Sequence, residues 1–148
     1  MYAIYTPVPA HYPELIRIWE ASVRATHDFL AEADISFFRQ LIAEQYLQLV
    51  QLHTVCDASG SILGFSGVAE GNLEMLFIDP EVRGQGIGKL LLQHAIRAQG
   101  VTKVDVNEQN SQALGFYEHA SFRVIGRSAL DGTGKPYPVL HMELSGAH

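Results

Sequence analysis

Cysteine is almost absent from this sequence of 148 residues, because Cys56 is the only one. A single cysteine excludes a disulfide within the chain and is typical of a reducing compartment, so we expect a cytoplasmic protein. The first residues contain no basic region followed by a long apolar stretch, and therefore do not resemble a signal peptide. Long hydrophobic runs are also absent, which argues against a membrane-spanning helix.

Positive charge is scarce as well: 10 lysines and arginines stand against 16 acidic residues, and the formal net charge is -6. This balance argues against nucleic acid or an anionic membrane as the main partner. A metal site finds little support, since the 7 histidines include no H-E-x-x-H pair. His53 and Cys56 lack the second half of a zinc site, so we predict no bound metal.

The chain does contain enough apolar residues for a core. Hydrophobic residues make up 47% and charged residues 18%, values typical of a globular chain rather than a disordered one. No linker, repeat or shift in composition divides it, and its length suits one core. We therefore predict a single domain spanning residues 1–148.

Hydrophobic periodicity predicts a mixed α/β order of elements. A first helix has its apolar residues on one face from Leu15 to Val23, and Asp34 is a plausible N-cap of a second helix. In the middle of the chain an antiparallel meander is predicted, with Gly71 and Asn72 as its second turn. The strands are predicted at residues 1–6, 52–57, 62–70, 73–79, 103–107, 122–128 and 137–144, and two further helices at residues 89–99 and 111–119.

A glycine-rich loop follows the predicted strand at residues 73–79 and leads directly into a helix. Glycines remove side chains, so successive backbone N–H groups can close on a phosphate, while the helix start and an arginine add positive charge. A cofactor-binding enzyme is the favoured interpretation, and a plain glycine-rich turn is the alternative. The loop consists of Arg83, Gly84, Gln85, Gly86, Ile87 and Gly88.

The spacing of this loop differs from two common phosphate-binding motifs. A Walker loop needs glycine where Arg83 stands and serine or threonine where Leu90 stands. A dinucleotide fingerprint needs glycine where Lys89 stands, although Asp105 lies near the position expected for a ribose-binding acid. A dinucleotide-dependent oxidoreductase is therefore a low-ranked alternative.

Two motifs together resemble the GNAT acyltransferases, the family that transfers acetyl groups from acetyl-CoA to amines. The loop, R-x-x-G-x-G from Arg83 to Gly88, is similar to the cofactor loop of that family. The stretch N-x-x-A-x-x-F-Y-E from Asn110 to Glu118, followed by Phe122, is similar to its other signature. With the order of elements, the resemblance covers essentially the whole chain. It implies the GNAT fold, an α/β architecture with a mixed, mostly antiparallel central sheet of about seven strands flanked by four helices.

The resemblance implies acetyl-CoA as the cofactor. Its pantetheine arm would lie between the fourth and fifth strands, and its pyrophosphate would lie on the glycine loop. A bulge on the fourth strand would free one backbone N–H to polarise the thioester carbonyl. The residues that the resemblance assigns to the cofactor are Leu76, Phe77, Ile78, Arg83, Gly84, Gln85, Gly86, Ile87, Gly88, Lys89, Asn110, Ala113 and Tyr117.

Two residues are candidates for catalysis. Tyr117 matches the tyrosine that protonates the departing thiolate in many family members, and an ordinary tyrosine pKa of about 10 keeps that proton available. Core packing beside Phe116 is the alternative role. Glu74 is the candidate base for the acceptor ammonium. The alternative also stays open that Glu74 is a solvated strand residue and that a histidine or a water molecule is the base.

Four residues are candidates for the acceptor site: Trp19, Thr26, His27 and His141. Trp19 and His27 share one helical stripe, for which core packing of Trp19 is the alternative. Either histidine could be an alternative base or have no catalytic role. The segments around Trp19 and His141 resemble the bacterial YjaB-like subgroup of the family. The predicted acceptor is a small-molecule or peptide amine, and the predicted state is a monomer or homodimer.

The function implied by the resemblance is direct transfer of an acetyl group to a primary amine. A catalytically silent CoA-binding sensor is the alternative from another class, and the presence of both Asn110 and Tyr117 favours the enzyme. Ser121 departs from the family pattern, which usually has glycine there. A left-handed helix end would cost about 1 kcal/mol more with serine, unless the helix ends differently.

Overall fold

The computed structural model describes residues 2–26 and 29–146, which form a seven-stranded sheet with helices packed on both faces. The strand order is β1-β2-β3-β4-β5-β7-β6. The strands are β1 Ala3–Tyr5, β2 Gln51–Cys56, β3 Ile62–Ala69, β4 Asn72–Ile78, β5 Lys103–Asn107, β6 Phe122–Ser128 and β7 Val139–Leu144. This is the mixed, mostly antiparallel sheet that the sequence predicts.

The sheet opens between β4 and β5. All other neighbours pair antiparallel, whereas these two strands are parallel and are joined by a helical crossover. Their pairing covers two residue pairs, Asn72 with Lys103 and Leu73 with Val104. Beyond these pairs the described parts of β4 and β5 are not paired with each other, so a gap lies between their carboxyl ends.

In the part of the chain that the structure describes, four helical segments cover the sheet. The second begins as α2 and continues without a break through a π-helical turn into the short α3. The bounds are α1 Tyr12–Thr26, α2 Glu32–Leu41, the π-helical turn Ile42–Tyr46, α3 Leu47–Leu49, α4 Ile87–Gln99 and α5 Ser111–His119. Within the described residues, none of these helices has the length and apolar character that crossing a membrane requires.

The sheet separates two hydrophobic layers. Helices α1 and α2 pack on one face around Leu15, Ile18 and Phe65, each of which is 0% exposed. Helices α4 and α5 pack on the other face around residues such as Ala95 and Val104. Burial of one large apolar side chain contributes about 1.5–3 kcal/mol. Because both layers contain several such side chains, they stabilise the position of β4 in the middle of the sheet.

The prediction of Asp34 as an N-cap is wrong, because α2 begins at Glu32 after Ala31. Asp34 lies in the first turn, where an acidic side chain also suits the helix dipole. Its carboxylate binds the loop before β7 instead of the helix start. Lys135 Nζ lies 2.9 Å from Asp34 Oδ1, and the Tyr137 hydroxyl donates to Asp34 Oδ2. These distant partners outweigh the local capping preference.

Five of the seven strands, β1, β2, β3, β4 and β7, differ from the prediction by one or two residues at a limit. The turn between β3 and β4 is formed by Glu70 and Gly71, not by Gly71 and Asn72. Both turn residues have positive φ, 52° and 77°, the geometry of a tight two-residue hairpin. The last strand begins at Val139 rather than at residue 137, and Pro138 before it has no N–H to donate to a ladder.

Ser121 ends helix α5 in the left-handed conformation, with φ of 76°. Its N–H donates to the Glu118 carbonyl at 3.1 Å, and its own carbonyl accepts from the Ser145 N–H at 2.7 Å. The helix therefore ends as it would with glycine. Serine bears the steric cost of this conformation, about 1 kcal/mol.

Candidate active site

A bulge in β4 directs Glu74 to the α1 side of the sheet. Val68 of β3 pairs with Leu73 and Gly67 pairs with Met75, so Glu74 has no partner on β3. Leu73 packs beside α4 and α5, whereas Met75 packs beside α1 and α2. Because the extra residue interrupts the alternation of side chains, Glu74 and Met75 line the same cleft. The bulge implied for the fourth strand is therefore present, and it lies at Glu74.

Helix α4 begins at a left-handed glycine. Gly86 is the N-cap residue, with φ of 81° and no side-chain capping bond, and Gly84 has φ of 77°. The Leu90 N–H donates to the Gly86 carbonyl at 3.0 Å. The amide groups between these two residues have no carbonyl acceptor within the helix. Together with the positive end of the helix dipole, they suit an anion such as a phosphate.

A cleft of about 340 Å³ lies beside this helix start. We call it the loop cleft, and it is bounded mainly by residues 76–78, 82–89 and 110–117. Every residue that the resemblance assigns to the cofactor lines it except Gln85. The Gln85 side chain accepts a hydrogen bond from the Tyr2 hydroxyl instead. One surface thus combines the glycine loop, the free edge of β4 and helix α5.

Helix α5 places Tyr117 in the loop cleft. Asn110 caps the helix, and its Oδ1 accepts from the Ala113 N–H at 3.1 Å. The Tyr117 ring is 7% exposed and meets Phe116 and Phe122 edge-on, with ring centroids 5.1 and 5.7 Å apart. Burial raises the pKa of the Tyr117 hydroxyl. Tyr117 therefore packs in the core and also lines the loop cleft.

A second cleft, of about 500 Å³, lies on the α1 and α2 side of β4. We call it the helix cleft, and its walls include Trp19 of α1, Ile42 and Tyr46 of the π-helical turn, and Glu74. Phe77 lines both clefts. The two clefts therefore meet at β4, three residues beyond the bulge.

Glu74 gives the helix cleft an acidic group with an altered pKa. The residue is exposed as a whole, but partial loss of solvation at its carboxylate raises its pKa. A hydrogen bond with Asn72 lowers the pKa, and the charge of Asp105 on the neighbouring strand raises it. A carboxylate with a raised pKa accepts a proton more readily than an ordinary glutamate.

The four predicted acceptor-site residues are not brought together in one place. Trp19 is 4% exposed and lines the helix cleft, so it packs in the core and also bounds a cavity. Thr26 lines the loop cleft, and its hydroxyl donates to the Ser22 carbonyl at 2.8 Å. His27 lies outside the described residues. His141 lies on the sheet surface and lines neither of these two clefts. The acceptor role of each residue stays a prediction.

Sequence reasoning missed the residues that close the helix cleft. The loop before β7 contributes Asp131 and Tyr137, and this loop is anchored on Asp34 through Tyr137 and Lys135. A π-helical turn has no local sequence signature, because such turns arise as insertions within a helix. The alternation in β5 does carry a signal, since it places Asp105 opposite the buried valines and therefore on the Glu74 side.

Known proteins resemble the chain in sequence. A family model described as an acetyltransferase (GNAT) domain matches residues 23–144. The peptidyl-lysine N-acetyltransferase YjaB of Salmonella typhimurium is 45% identical over 130 residues, which cover 87% of this chain and 88% of that protein. The YjaB protein of Escherichia coli is 40% identical over 134 residues, with 90% of each chain covered. These matches confirm the resemblance to the YjaB-like subgroup.

Solved structures have the same fold. The solution structure of apo YjaB from Escherichia coli superimposes with a TM-score of 0.91, 37% identity and 99% coverage of both chains. A PaiA N-acetyltransferase from Thermoplasma acidophilum, solved in complex with coenzyme A, has a TM-score of 0.75 and covers 97% of this chain and 98% of its own. At 21% identity the second match supports the fold alone. By sequence and by fold, the chain belongs to the GNAT acetyltransferase family.

Proposed function

We propose that the chain acetylates the side-chain amine of lysine residues in proteins or peptides, with acetyl-CoA as the donor. The observation that carries the proposal is the meeting of two clefts at β4, one with an uncapped helix start and Tyr117, the other with Glu74. The two similar YjaB proteins are named peptidyl-lysine N-acetyltransferases. Their name supports lysine as the acceptor.

The loop cleft fits a donor that carries phosphate groups and amides. The uncapped start of α4 and Arg83 supply positive charge for a pyrophosphate. Residues 76–78 lie beyond the last paired residues of β4 and β5, so no described strand pairs with their main-chain groups on that side. These groups can pair with the amides of the pantetheine arm as an added strand would. When bound, acetyl-CoA supplies an acetyl group activated as a thioester.

Glu74 removes a proton from the acceptor ammonium, because only the free amine has a lone pair for attack on the acyl carbon. Its position in the helix cleft and its raised pKa both suit this role. A histidine or a water molecule is the alternative base. Replacement of Glu74 separates these alternatives.

Tyr117 donates a proton to the departing thiolate. Its hydroxyl keeps that proton at neutral pH, because burial raises its pKa. A backbone N–H at the β4 bulge stabilises the negative charge that develops on the carbonyl oxygen. Base and acid then lie on the two clefts that meet at Phe77, which suits direct transfer between two bound substrates.

Steady-state acetylation of a lysine-containing peptide tests the proposal. We expect Tyr117→Phe to lower kcat by about 100-fold, because a positioned general acid contributes a factor of this size. Acetyl-CoA binding by calorimetry should be unchanged in this variant. Glu74→Gln should lower kcat/KM at neutral pH. Tyr5→Phe is the matched control, since Tyr5 is 59% exposed, and it should behave as the wild type.

Two results would contradict the proposal, and two more would change the residues assigned to the mechanism. Acetyl-CoA binding without turnover on any amine would indicate a CoA-binding sensor. Binding of NAD in place of CoA would indicate an oxidoreductase. Full activity of Tyr117→Phe would remove Tyr117 from the mechanism, and full activity of Glu74→Gln would leave water or a histidine as the base.

A further inference from the structure

Three side chains form a hydrogen-bonded row across β5, β7 and β6. His141 Nδ1 lies 2.6 Å from Asp105 Oδ1, and His141 Nε2 lies 2.7 Å from Ser128 Oγ. The register explains the first contact, because Asp105 and His141 are directly opposite each other. All three residues lie on the sheet face opposite α4 and α5, since Val104 and Met142 point into the layer beneath those helices. We call this row the sheet triad.

A second bulge helps His141 to reach Ser128. The β6–β7 register shifts between Val124 and Gly126, and Gly126 then lies opposite His141. A Cβ at residue 126 would lie 3.7 Å from His141 Cδ2, so the imidazole ring rests over a residue that has no side chain. At this distance a Cβ would make an ordinary van der Waals contact with the ring.

The two hydrogen bonds define the role of each ring nitrogen. A carboxylate accepts only, so a neutral His141 donates its Nδ1–H to Asp105. The Nε2 atom then accepts from the Ser128 hydroxyl.

An exposed carboxylate usually samples several rotamers, and Asp105 is 46% exposed. The contact with His141 restricts Asp105 to one arrangement.

Asp105 lies beside the candidate base. Leu73 of β4 is paired with Val104 of β5, and the next residues on these parallel strands are Glu74 and Asp105. The Asp105 charge acts directly on Glu74. Asn107, two residues further along the same face of β5, lines the helix cleft. Asp105 is thus the strand neighbour of Glu74, the carboxylate that lines the helix cleft in which the acceptor is expected.

We propose that Asp105 is the second carboxylate of the acceptor site, held in place by His141 and Ser128, and that it binds a cationic primary ammonium together with Glu74. This inference rests on the proposed function. The ammonium enters between the two carboxylates, and one N–H proton passes to Glu74. The nitrogen lone pair that is left then attacks the acyl carbon. The Asp105 carboxylate selects and orients a charged amine.

The charges around the triad favour this assignment. The next row on the same face consists of Lys103, Glu143 and Arg123, which lie opposite one another in register. The negative Glu143 therefore lies between two positive residues, Lys103 and Arg123. Arg127 forms a bidentate ion pair with Glu108.

The groups packed above the sheet are also engaged. Asp131 accepts from the backbone N–H groups of Thr133 and Lys135. Asp34 is bound by Lys135 and Tyr137. Among the described residues on this side of β4 and β5, Glu74, Asp105 and Asp131 form no ion pair with an arginine or lysine, and the Asp131 carboxylate is already bound by backbone N–H groups.

Replacement of Asp105 by asparagine keeps the shape and removes the charge. We expect Asp105→Asn to raise the KM for a lysine peptide by about tenfold, because a charge-assisted contact is lost, with a smaller effect on kcat. Removal of the neighbouring negative charge lowers the Glu74 pKa. The acidic limb of the kcat/KM profile should therefore move to lower pH. Acetyl-CoA affinity should not change.

Three controls separate binding from structure. Glu143→Gln removes a carboxylate from the same face, one row away, and should leave KM within about twofold of the wild type. His141→Gln and Ser128→Ala should each reproduce part of the Asp105→Asn shift in the pH profile, as expected for positioning residues. An aminooxy side chain is uncharged at neutral pH. The wild type and Asp105→Asn should therefore have the same KM for a peptide that carries it.

A direct readout keeps this inference distinct from the proposed function. The Glu74 carboxyl pKa, followed by carbon-detected NMR titration without substrate, should fall in Asp105→Asn even if lysine is not the acceptor. An unchanged Glu74 pKa, or a KM unchanged for the lysine peptide, would overturn the inference. If activity fell only in variants whose thermal stability also fell, the triad would have a structural role alone. Failure of the wild type to acetylate any lysine peptide would refute the proposed function instead.

Discussion

Burial acts in the same direction on the two candidate catalytic residues. Loss of solvation disfavours the charged form of both Tyr117 and Glu74 and raises both pKa values. The consequences differ because the roles differ. Tyr117 keeps the proton that an acid must give, and Glu74 gains affinity for the proton that a base must take. The effect strengthens Glu74 as a base, whereas it keeps Tyr117 protonated but makes its hydroxyl a weaker acid, so the two steps are not favoured equally.

Ser121 provides a stability test at a single residue. We expect Ser121→Gly to raise the free energy of unfolding by about 0.5–1 kcal/mol, because glycine adopts the left-handed conformation without the Cβ clash and loses part of that gain to unfolded-state entropy. Chemical denaturation followed by circular dichroism measures the difference. The φ of 76° is the observation on which the prediction rests.

The matched control for this change is Ser36→Gly. Ser36 is exposed within α2, where glycine should lower the free energy of unfolding by about 0.5 kcal/mol. The same substitution is thus expected to have opposite signs at two positions. A destabilised Ser121→Gly variant would show that serine is not strained at the end of α5.

The glycine loop acts as an element rather than as separate residues. Its left-handed glycines turn the chain so that the first amide groups of α4 face the loop cleft without a side-chain cap. A cap residue such as serine or aspartate would stabilise the isolated helix and would occupy those amides. The loop therefore lacks the stability that a side-chain cap would give the helix, and its amides remain able to bind an anion.

Gly86→Glu tests the anion site. We expect acetyl-CoA binding to weaken by about tenfold or more in calorimetry, since a carboxylate enters the place where phosphate is expected. The control is Gly60→Glu, which adds the same charge at another left-handed glycine, φ of 87°, in the β2–β3 turn. Both variants carry similar backbone strain, and the control should bind as the wild type does. Equal weakening in both would assign the effect to lost stability.

The elements whose limits depend on local sequence patterns could be predicted. The limits of β5, α5 and β6 agree with the prediction, because alternation and the Asn110 cap are encoded within each segment. The bulge at Glu74 depends on the register with β3, and the π-helical turn depends on packing. The glycine loop and Tyr117 were found through contiguous motifs. The Asp105–His141 contact joins residues 36 positions apart, and such pairings leave no mark on a local pattern.

The contact between α2 and the loop before β7 joins distant parts of the molecule. Tyr137 and Asp34 are 103 positions apart, and Lys135 also places its ammonium 4.6 Å from the Phe37 ring centroid. This set of contacts fixes the loop that supplies Asp131 and Tyr137 to the helix cleft. The shape of the helix cleft therefore depends on Asp34, which does not itself line the cleft.

Asp34→Asn tests this dependence. The hydrogen bond from Tyr137, followed by that from Lys135, lowers the pKa of Asp34 below its ordinary value of 3.8. A carboxyl group whose pKa is lowered by folding adds stability above that ordinary value, and the gain is lost as the pH falls toward the folded-state pKa. We expect the variant to unfold more readily than the wild type at pH 7 and the difference to shrink below about pH 4. Thermal unfolding at several pH values measures this.

The same variant should raise the acceptor KM several-fold and leave acetyl-CoA affinity unchanged, because the loop borders the helix cleft and not the loop cleft. Glu32→Gln is the matched control on the same helix: it removes an exposed ion pair with Arg24, and such pairs contribute little to stability. Tyr137→Phe removes the hydroxyl donor but keeps the ring against Phe29, and should have a smaller effect of the same sign. If Asp34→Asn and Glu32→Gln gave equal changes in KM, the loop would not depend on this contact, and the acceptor side would be shaped within the cleft alone.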